Sequence, residues 1–268
     1  MSRTPLVLLP PSEGKAPGGD GPPWDAAATR FPDLADARRE VLAALGAAME
    51  ADEATRGALL GVKGQSLARA TEANRTAATA PTRPAIERYT GVLYDALDTA
   101  SLTATVRRRL DRQVLILSGL WGVVAPDDPV PDYKLKMGAR LDGLGRLAAW
   151  WSPRLAPVLG EVAGGRVVWD LLPNEHAAAV APLVSARRVV TVRFLDDVER
   201  GGERRLVTVS HWNKLLKGAL VRHVLTEQLD DPAGLESFEH PEGYGFRPDL
   251  SDLAPARGPA VAVLVARR

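Results

Sequence analysis

Three apolar runs in this chain end in polar side chains of the kind that bind or transform a substrate. "LVLL" runs into "PPSEGK", "VLIL" into "SGLWG", and "GRVVWDLL" into "PNEH". Ser12, Glu13 and Lys15 place an acceptor, a carboxylate and an ammonium within four residues. Gly14 between them lets backbone N–H groups turn toward an anion. Glu13 and Glu175 have the chemistry of a general acid or base. Asn174 beside Glu175 serves as a substrate contact or as a helix cap. Ser118 is a candidate nucleophile, but "ILSGLWG" lacks the G-x-S-x-G elbow, and its plainer reading is a Ser-Gly turn. "PPSEGK" fails the G-x-x-x-x-G-K-[ST] spacing, which excludes a Walker A loop.

Lysine is scarce beside arginine, occurring only at Lys15, Lys63, Lys134, Lys136, Lys214 and Lys217. A chain that otherwise favours arginine and keeps a compact ammonium at these places either uses it as a point charge or simply carries it on a solvated surface. Lys214 and Lys217 lie three apart near the start of a helical pattern, where cations oppose the helix dipole unless an anion sits nearby. Lys15, Lys134, Lys214 and Lys217 therefore read as anion clamps. Trp121 and Tyr133 read as a stacking surface for a ring, or as core. Such a pocket suits a phosphorylated or carboxylated metabolite, or a nucleotide.

Composition removes other chemistries. The 268 residues carry a net charge of +1 and no cysteine, so thiol catalysis, thiolate metal sites and disulfides are excluded. His176, His211, His223 and His240 show no ligand spacing, and no metal or cofactor is expected. No run reaches the roughly 18 apolar residues of a membrane span, and the first ten residues lack a leader pattern, so a cytoplasmic location is expected.

Elements must bring these groups together. Leu6–Leu9, Val114–Leu117, "GRVVWDLL" and "AVAVLVA" have strand composition. "RRVVTVRFL" and "RRLVTVSHW" flank Gly201-Gly202, a hairpin signal. Helical periodicity follows Asp33, read as an N-cap, and recurs in "SLTATVRRRLDRQ", read as capped by Ser101. "GRLAAWWSPRLAPVL" reads as a helix interrupted by Pro153, and "NKLLKGALVRHVLTEQL" as a helix from Asn213. The order predicts an α+β fold: a mixed β-sheet flanked by helices, one domain over 1–268, with a helical insertion at about 33–100. Polar groups past the carboxyl ends of strands are where such sheets open a ligand crevice.

Inside the insertion, "ALLGVKGQSLARA" reads as two helices around a tight glycine turn at 60–64. Backbone N–H groups of such a helix-hairpin-helix, with Lys or Gln beside them, reach a nucleic-acid phosphate. Gly61, Lys63, Gly64 and Gln65 would do so here, with Leu60, Val62, Leu67 and Ala68 packing the hairpin. The contacts would be sequence-independent and salt-sensitive. The turn is one residue longer than the common G-h-G form.

Together these residues resemble a known family. A strand into P-S-x-x-K, "YTGVLYDAL" (89–97), "LSGLWGVVAPDDPVPDYKLKMG" (117–138), Asn174-Glu175, "KLLKG" (214–218) and "HPEGYGF" (240–246) are similar, in that order, to the peroxide stress protein YaaA family. The resemblance implies a cytoplasmic α+β protein with an inserted helix-hairpin-helix. It also implies DNA binding, carried onto Gly61, Lys63 and Gly64, and a role in lowering free iron during hydrogen peroxide stress. It implies no catalytic residues.

Overall fold

The computed structural model describes residues 4–209 and 212–268. The chain opens with β1 (Leu6–Leu9) and a long loop, then α1 (Ala35–Ala48), α2 (Glu53–Leu60) and α3 (Gly64–Thr76). A two-residue strand β2 (Arg83–Pro84) precedes α4 (Ala85–Arg88), α5 (Val92–Leu97) and α6 (Ala104–Gln113). Next come β3 (Val114–Ser118), β4 (Gly122–Val124), β5 (Pro129–Val130), β6 (Arg140–Leu141) and β7 (Gly145–Arg146). The rest is α7 (Leu147–Ala163), β8 (Val167–Asp170), α8 (Asn174–Ala177), β9 (Arg188–Arg200), β10 (Glu203–Thr208), α9 (Asn213–Glu227), β11 (Gly245–Phe246) and β12 (Ala260–Arg267).

One mixed sheet runs β11-β12-β9-β8-β1-β3-β4, with β10 also paired to β9. The β12, β9, β8, β1 and β3 neighbours are parallel, while β4, β10 and β11 attach antiparallel. This is the expected α+β architecture. Every residue of β1 and β3 is buried, which explains why their sequences are continuous apolar runs rather than alternating ones. The chain leaves β1 for β3 on one side and later returns to β8 on the other. A crevice opens past the carboxyl ends of strands where the winding reverses in this way.

Helices cover the sheet through close contacts. A Cβ on Gly218 of α9 would stand 2.2 Å from the Leu93 carbonyl oxygen of α5, so only glycine lets these two helices meet. Arg38 of α1 is fully buried; its guanidinium donates to the carbonyls of Trp121 (3.1 Å) and Val123 (2.8 Å). It thereby fixes the turn after β3.

Four local readings are corrected. α1 begins at Ala35, because Pro32–Leu34 forms a 3-10 turn first and Asp33 lies inside it rather than at a cap. α6 is capped by Thr103, which accepts from the Val106 N–H, and not by Ser101. α7 runs through both Pro153 and Pro157. Burying Leu147, Trp151, Leu155 and Leu159 on one stripe outweighs the missing backbone bonds. Ala68 is exposed, and Ala70 takes its place against the core. The β9–β10 hairpin forms with Gly201 and Gly202 at φ 62° and 82°, the two-residue turn that its sequence signals.

Candidate functional site

The loop after β1 is held by its neighbours rather than by regular structure. Ser12 Oγ accepts from the Gly14 N–H (3.2 Å), Gly14 O accepts from the Thr90 N–H (3.2 Å), and Lys15 bridges to Tyr89. Beneath it lies Arg88, fully buried. Its guanidinium donates to Val130 O (3.0 Å), Gly18 O (2.7 Å) and Ala16 O. A planar fork with five donors can satisfy several carbonyls at once, which a lysine cannot.

Lys15 therefore sits over a buried row of hydroxyls. Its Nζ donates to Ser12 O (3.3 Å) and lies 4.2 Å from the Tyr133 ring centroid, a cation–π distance. The Tyr133 hydroxyl shares hydrogen bonds with Ser118 Oγ (2.7 Å) and the Tyr89 hydroxyl (2.8 Å). Ser118 Oγ also accepts from the Trp121 N–H (3.0 Å). Burial pushes Lys15 down to about 8; Lys134 and Arg88 add to the fall, while Asp132 and Glu13 oppose it. Burial pushes Tyr133 up to about 12, so it stays a neutral phenol.

An outer wall of cations flanks this cluster. Glu13 accepts from Lys134 (3.0 Å) and pairs with Lys136 (3.4 Å). The Lys134 hydrogen bond, with the charges of Lys134 and Lys136, holds the Glu13 carboxyl below its usual range. Asn74 of α3 clamps the Lys134 backbone at both N–H (2.8 Å) and C=O (3.0 Å). Glu175 accepts from the Gly138 N–H (2.7 Å), tying the start of α8 to the same loop. A groove of about 540 Å³ runs past Gly61, Lys136, Gly138, Arg140 and Glu175. A Cβ on Gly61, whose φ is 67°, would be 3.5 Å from Lys136 Nζ, so the α2–α3 turn faces the cationic loop.

The sequence candidates divide accordingly. Ser12, Glu13, Lys15, Ser118, Tyr133 and Lys134 lie in one connected network, and Glu175 and Gly61 border it. Ser118 is fully buried and committed to the turn and to Tyr133, which removes it as an accessible nucleophile. Trp121 and Tyr133 are not open stacking surfaces. Both are buried, Trp24 covers Trp121 at 5.2 Å between rings, and Lys15 covers Tyr133. Lys217 donates to Leu171 O (2.8 Å) near Asp170 and so ties α9 to the end of β8. Lys214 and Asn174 are exposed, and no hydrogen bond or ion pair joins their side chains to the network among the described residues. Lys63, Gly64 and Gln65 are exposed at the hairpin.

His211 lies outside the described residues; His176 is buried with neither ring nitrogen hydrogen-bonded. Among the described residues no group of three or more His, Asp or Glu is placed to hold a metal, and no helix is long and apolar enough to cross a membrane. Arg88, Tyr89, Asn74 and Lys136 were missed as site residues. Tyr89 stands in the "YTGVLYDAL" motif and Lys136 in "DYKLKMG", which are the signals that could have found them; Arg88 and Asn74 carry none.

The model of the family described as "Peroxide stress protein YaaA" matches residues 6–250. The chain belongs to that family. A UPF0246 protein of Streptomyces coelicolor is 42% identical over 254 residues, covering 94% of each chain. A UPF0246 protein of Corynebacterium glutamicum is 40% identical over 221 residues, 81% of this chain and 83% of its own. One from Hahella chejuensis is 35% identical over 177 residues, 64% and 67% of the two chains. Membership of the family carries an association with peroxide stress and names no catalytic residue.

Proposed function

We propose that this chain is a cytoplasmic peroxide-stress protein that grips the phosphate backbone of DNA without reading base sequence. The observation that carries this reading is the groove in which the Gly61 turn faces Lys136, with Arg140 on the same wall and Lys63 exposed at the hairpin. Backbone N–H groups at a helix start and unburied ammonium groups are the two means by which proteins hold phosphates. Gly61, Lys63, Gly64 and Gln65 take the hairpin side, and Lys134 and Lys136 the loop side. Protection from peroxide is then indirect, by covering DNA and limiting free iron. The iron role rests on the family resemblance alone.

A labelled duplex titrated across ionic strength tests this. Affinity should fall linearly on a log–log plot against salt, and Lys63→Glu or Lys136→Glu should each weaken it about tenfold and flatten the slope by roughly one ion. Absence of binding at low salt, or variants that bind like the parent, ends the proposal.

A second reading makes the strand-end crevice an active site for a phosphorylated, carboxylated or nucleotide-type small molecule. A half-buried Lys15 amine over a buried hydroxyl row favours it, since a backbone binder has no need of one. Glu13 or Glu175 would serve as acid or base, with Lys134 and Lys136 on the anion. A thermal-shift screen against sugar phosphates and nucleotides addresses it, because tight binding must raise the melting temperature.

A further inference from the structure

Lys15 is placed unlike the other cations of the site. The nearest carboxylate in sequence, Glu13, is committed to Lys134 at 3.0 Å and Lys136 at 3.4 Å. Lys15 makes no ion pair among the described residues; its amine touches a backbone carbonyl on one side and the face of Tyr133 on the other. The charged and titratable groups around it are Arg88, Lys134, Asp132, Glu13, Tyr89 and Tyr133. Burial and the two cations outweigh the two carboxylates, so part of the population is free amine at neutral pH. A lysine desolvated beside other cations is the arrangement that makes an amine nucleophilic toward carbonyl carbon.

Glu13 adds a second clue. Its side chain is 68% exposed while it holds two ammonium groups. Exposed ion pairs of this kind contribute little in water. A phosphate, carrying more charge and more acceptor oxygens, can displace that carboxylate from Lys134 and Lys136.

We propose that the Lys15 amine forms an imine with the open-chain aldehyde of a sugar whose phosphate replaces Glu13 on Lys134 and Lys136. This rests on the strand-end crevice reading and names its substrate class. The nitrogen lone pair adds to the aldehyde carbon, and the carbonyl oxygen takes up a proton. The nitrogen gives up both of its protons over the two steps. One matches the proton taken up by the carbonyl oxygen, and one matches the proton with which the carbinolamine hydroxyl leaves as water, so amine and aldehyde give imine and water with no change of oxidation state. The same aldehyde and phosphate occur in a free aldose phosphate and at an abasic site in a DNA strand.

The test incubates the full chain with ribose 5-phosphate, with a duplex holding one abasic site, and with an intact duplex, each in sodium cyanoborohydride. The reagent delivers hydride to the imine carbon and leaves a stable secondary amine. Intact mass should show one adduct per chain in the first or second arm and none in the third, and peptide mapping should place it on Lys15. The trapping rate should rise with pH through about 8. Lys15→Arg, which keeps a cation, should lower the adduct about tenfold or more, with the melting temperature recorded to confirm folding. An adduct in one arm alone supports the proposal and identifies the source of the aldehyde.

Adducts spread over the other lysines at the rate of a free lysine amide overturn it, and mapping of the unmutated chain decides this even if Lys15→Arg does not fold. A melting-temperature rise with ribose 5-phosphate but no adduct removes the imine and leaves the crevice reading standing. No rise and no adduct remove both.

Discussion

The two walls of the site are built on opposite principles. The inner wall, from a half-buried Lys15 down through the buried Tyr133, Ser118, Tyr89 and Arg88, is closed to solvent below its rim, and each polar group has one or more partners inside the protein. The outer wall, from Lys63 through Gly61 to Lys136, is open, and its cations hold one exposed carboxylate or nothing that the described residues offer. Burial makes the inner groups expensive to disturb and shifts their proton affinities. Exposure makes the outer groups cheap to disturb and sensitive to salt. One wall fixes geometry; the other gathers anions.

The sharpest way to break this contrast is Arg88→Leu. It leaves the carbonyls of Ala16, Gly18 and Val130 without their donor, and should cost about 3 kcal/mol or more in urea unfolding. A loss as small as that of a surface arginine would mean that the inner wall is no more tightly built than the outer.

Lys15 gives a smaller effect with a definite sign. Its folded value of about 8 lies below the ordinary lysine value of about 10.4. Between these values the unfolded chain binds more protons than the folded one, so stability rises as pH rises across the window. Below it the half-buried ammonium costs on the order of 1–2 kcal/mol after solvent screening. Unfolding of the parent and of Lys15→Met should diverge across that window, with the slope absent in the variant. Parallel pH profiles would show that Lys15 is solvated like the outer cations.

The smallest change is expected from Glu13→Gln. Stability should move by no more than about 0.5 kcal/mol, while duplex affinity at low salt should rise because Lys134 and Lys136 lose their competing carboxylate. Weaker duplex binding would place Glu13 on the DNA itself rather than in its stead.

Much of the scaffold was legible because its signals are local. Leu6–Leu9 and Val114–Leu117 are unbroken apolar runs, Gly201-Gly202 marks its hairpin, and Gly61 and Gly64 mark the α2–α3 turn. Caps were harder. Asp33 and Ser101 are good cap residues by type, but Pro32 starts a 3-10 turn and Thr103 stands nearer the true start of α6. The outer wall was partly legible from charge, since Glu13 and Lys134 are polar residues doing what their types suggest, while Lys136, in the same "DYKLKMG" motif, was missed. The inner wall could not be read this way. Nothing in "IERYTG" says that Arg88 is buried, because an arginine looks the same in sequence whether it meets water or four carbonyls. The sequence left Trp121 and Tyr133 between a stacking surface and core for the same reason, and only the fold places Trp24 and Lys15 on their faces.

The position of β1 has a consequence for how the molecule is made. Leu8 registers against Leu115 on one side and Asp170 on the other, so the first strand synthesised pairs only with segments that emerge much later. At ribosomal rates of roughly 5–20 residues per second, it waits for seconds with both edges bare. Pairings this distant in sequence form late and slowly. The Glu175 border of the site, which follows β8, is therefore the last part of it to be put in place. A chain arrested before Asp170 would hold the residues of both walls and the β1–β3 pairing but leave the other edge of β1 bare, and that edge would be a target for chaperones or for aggregation.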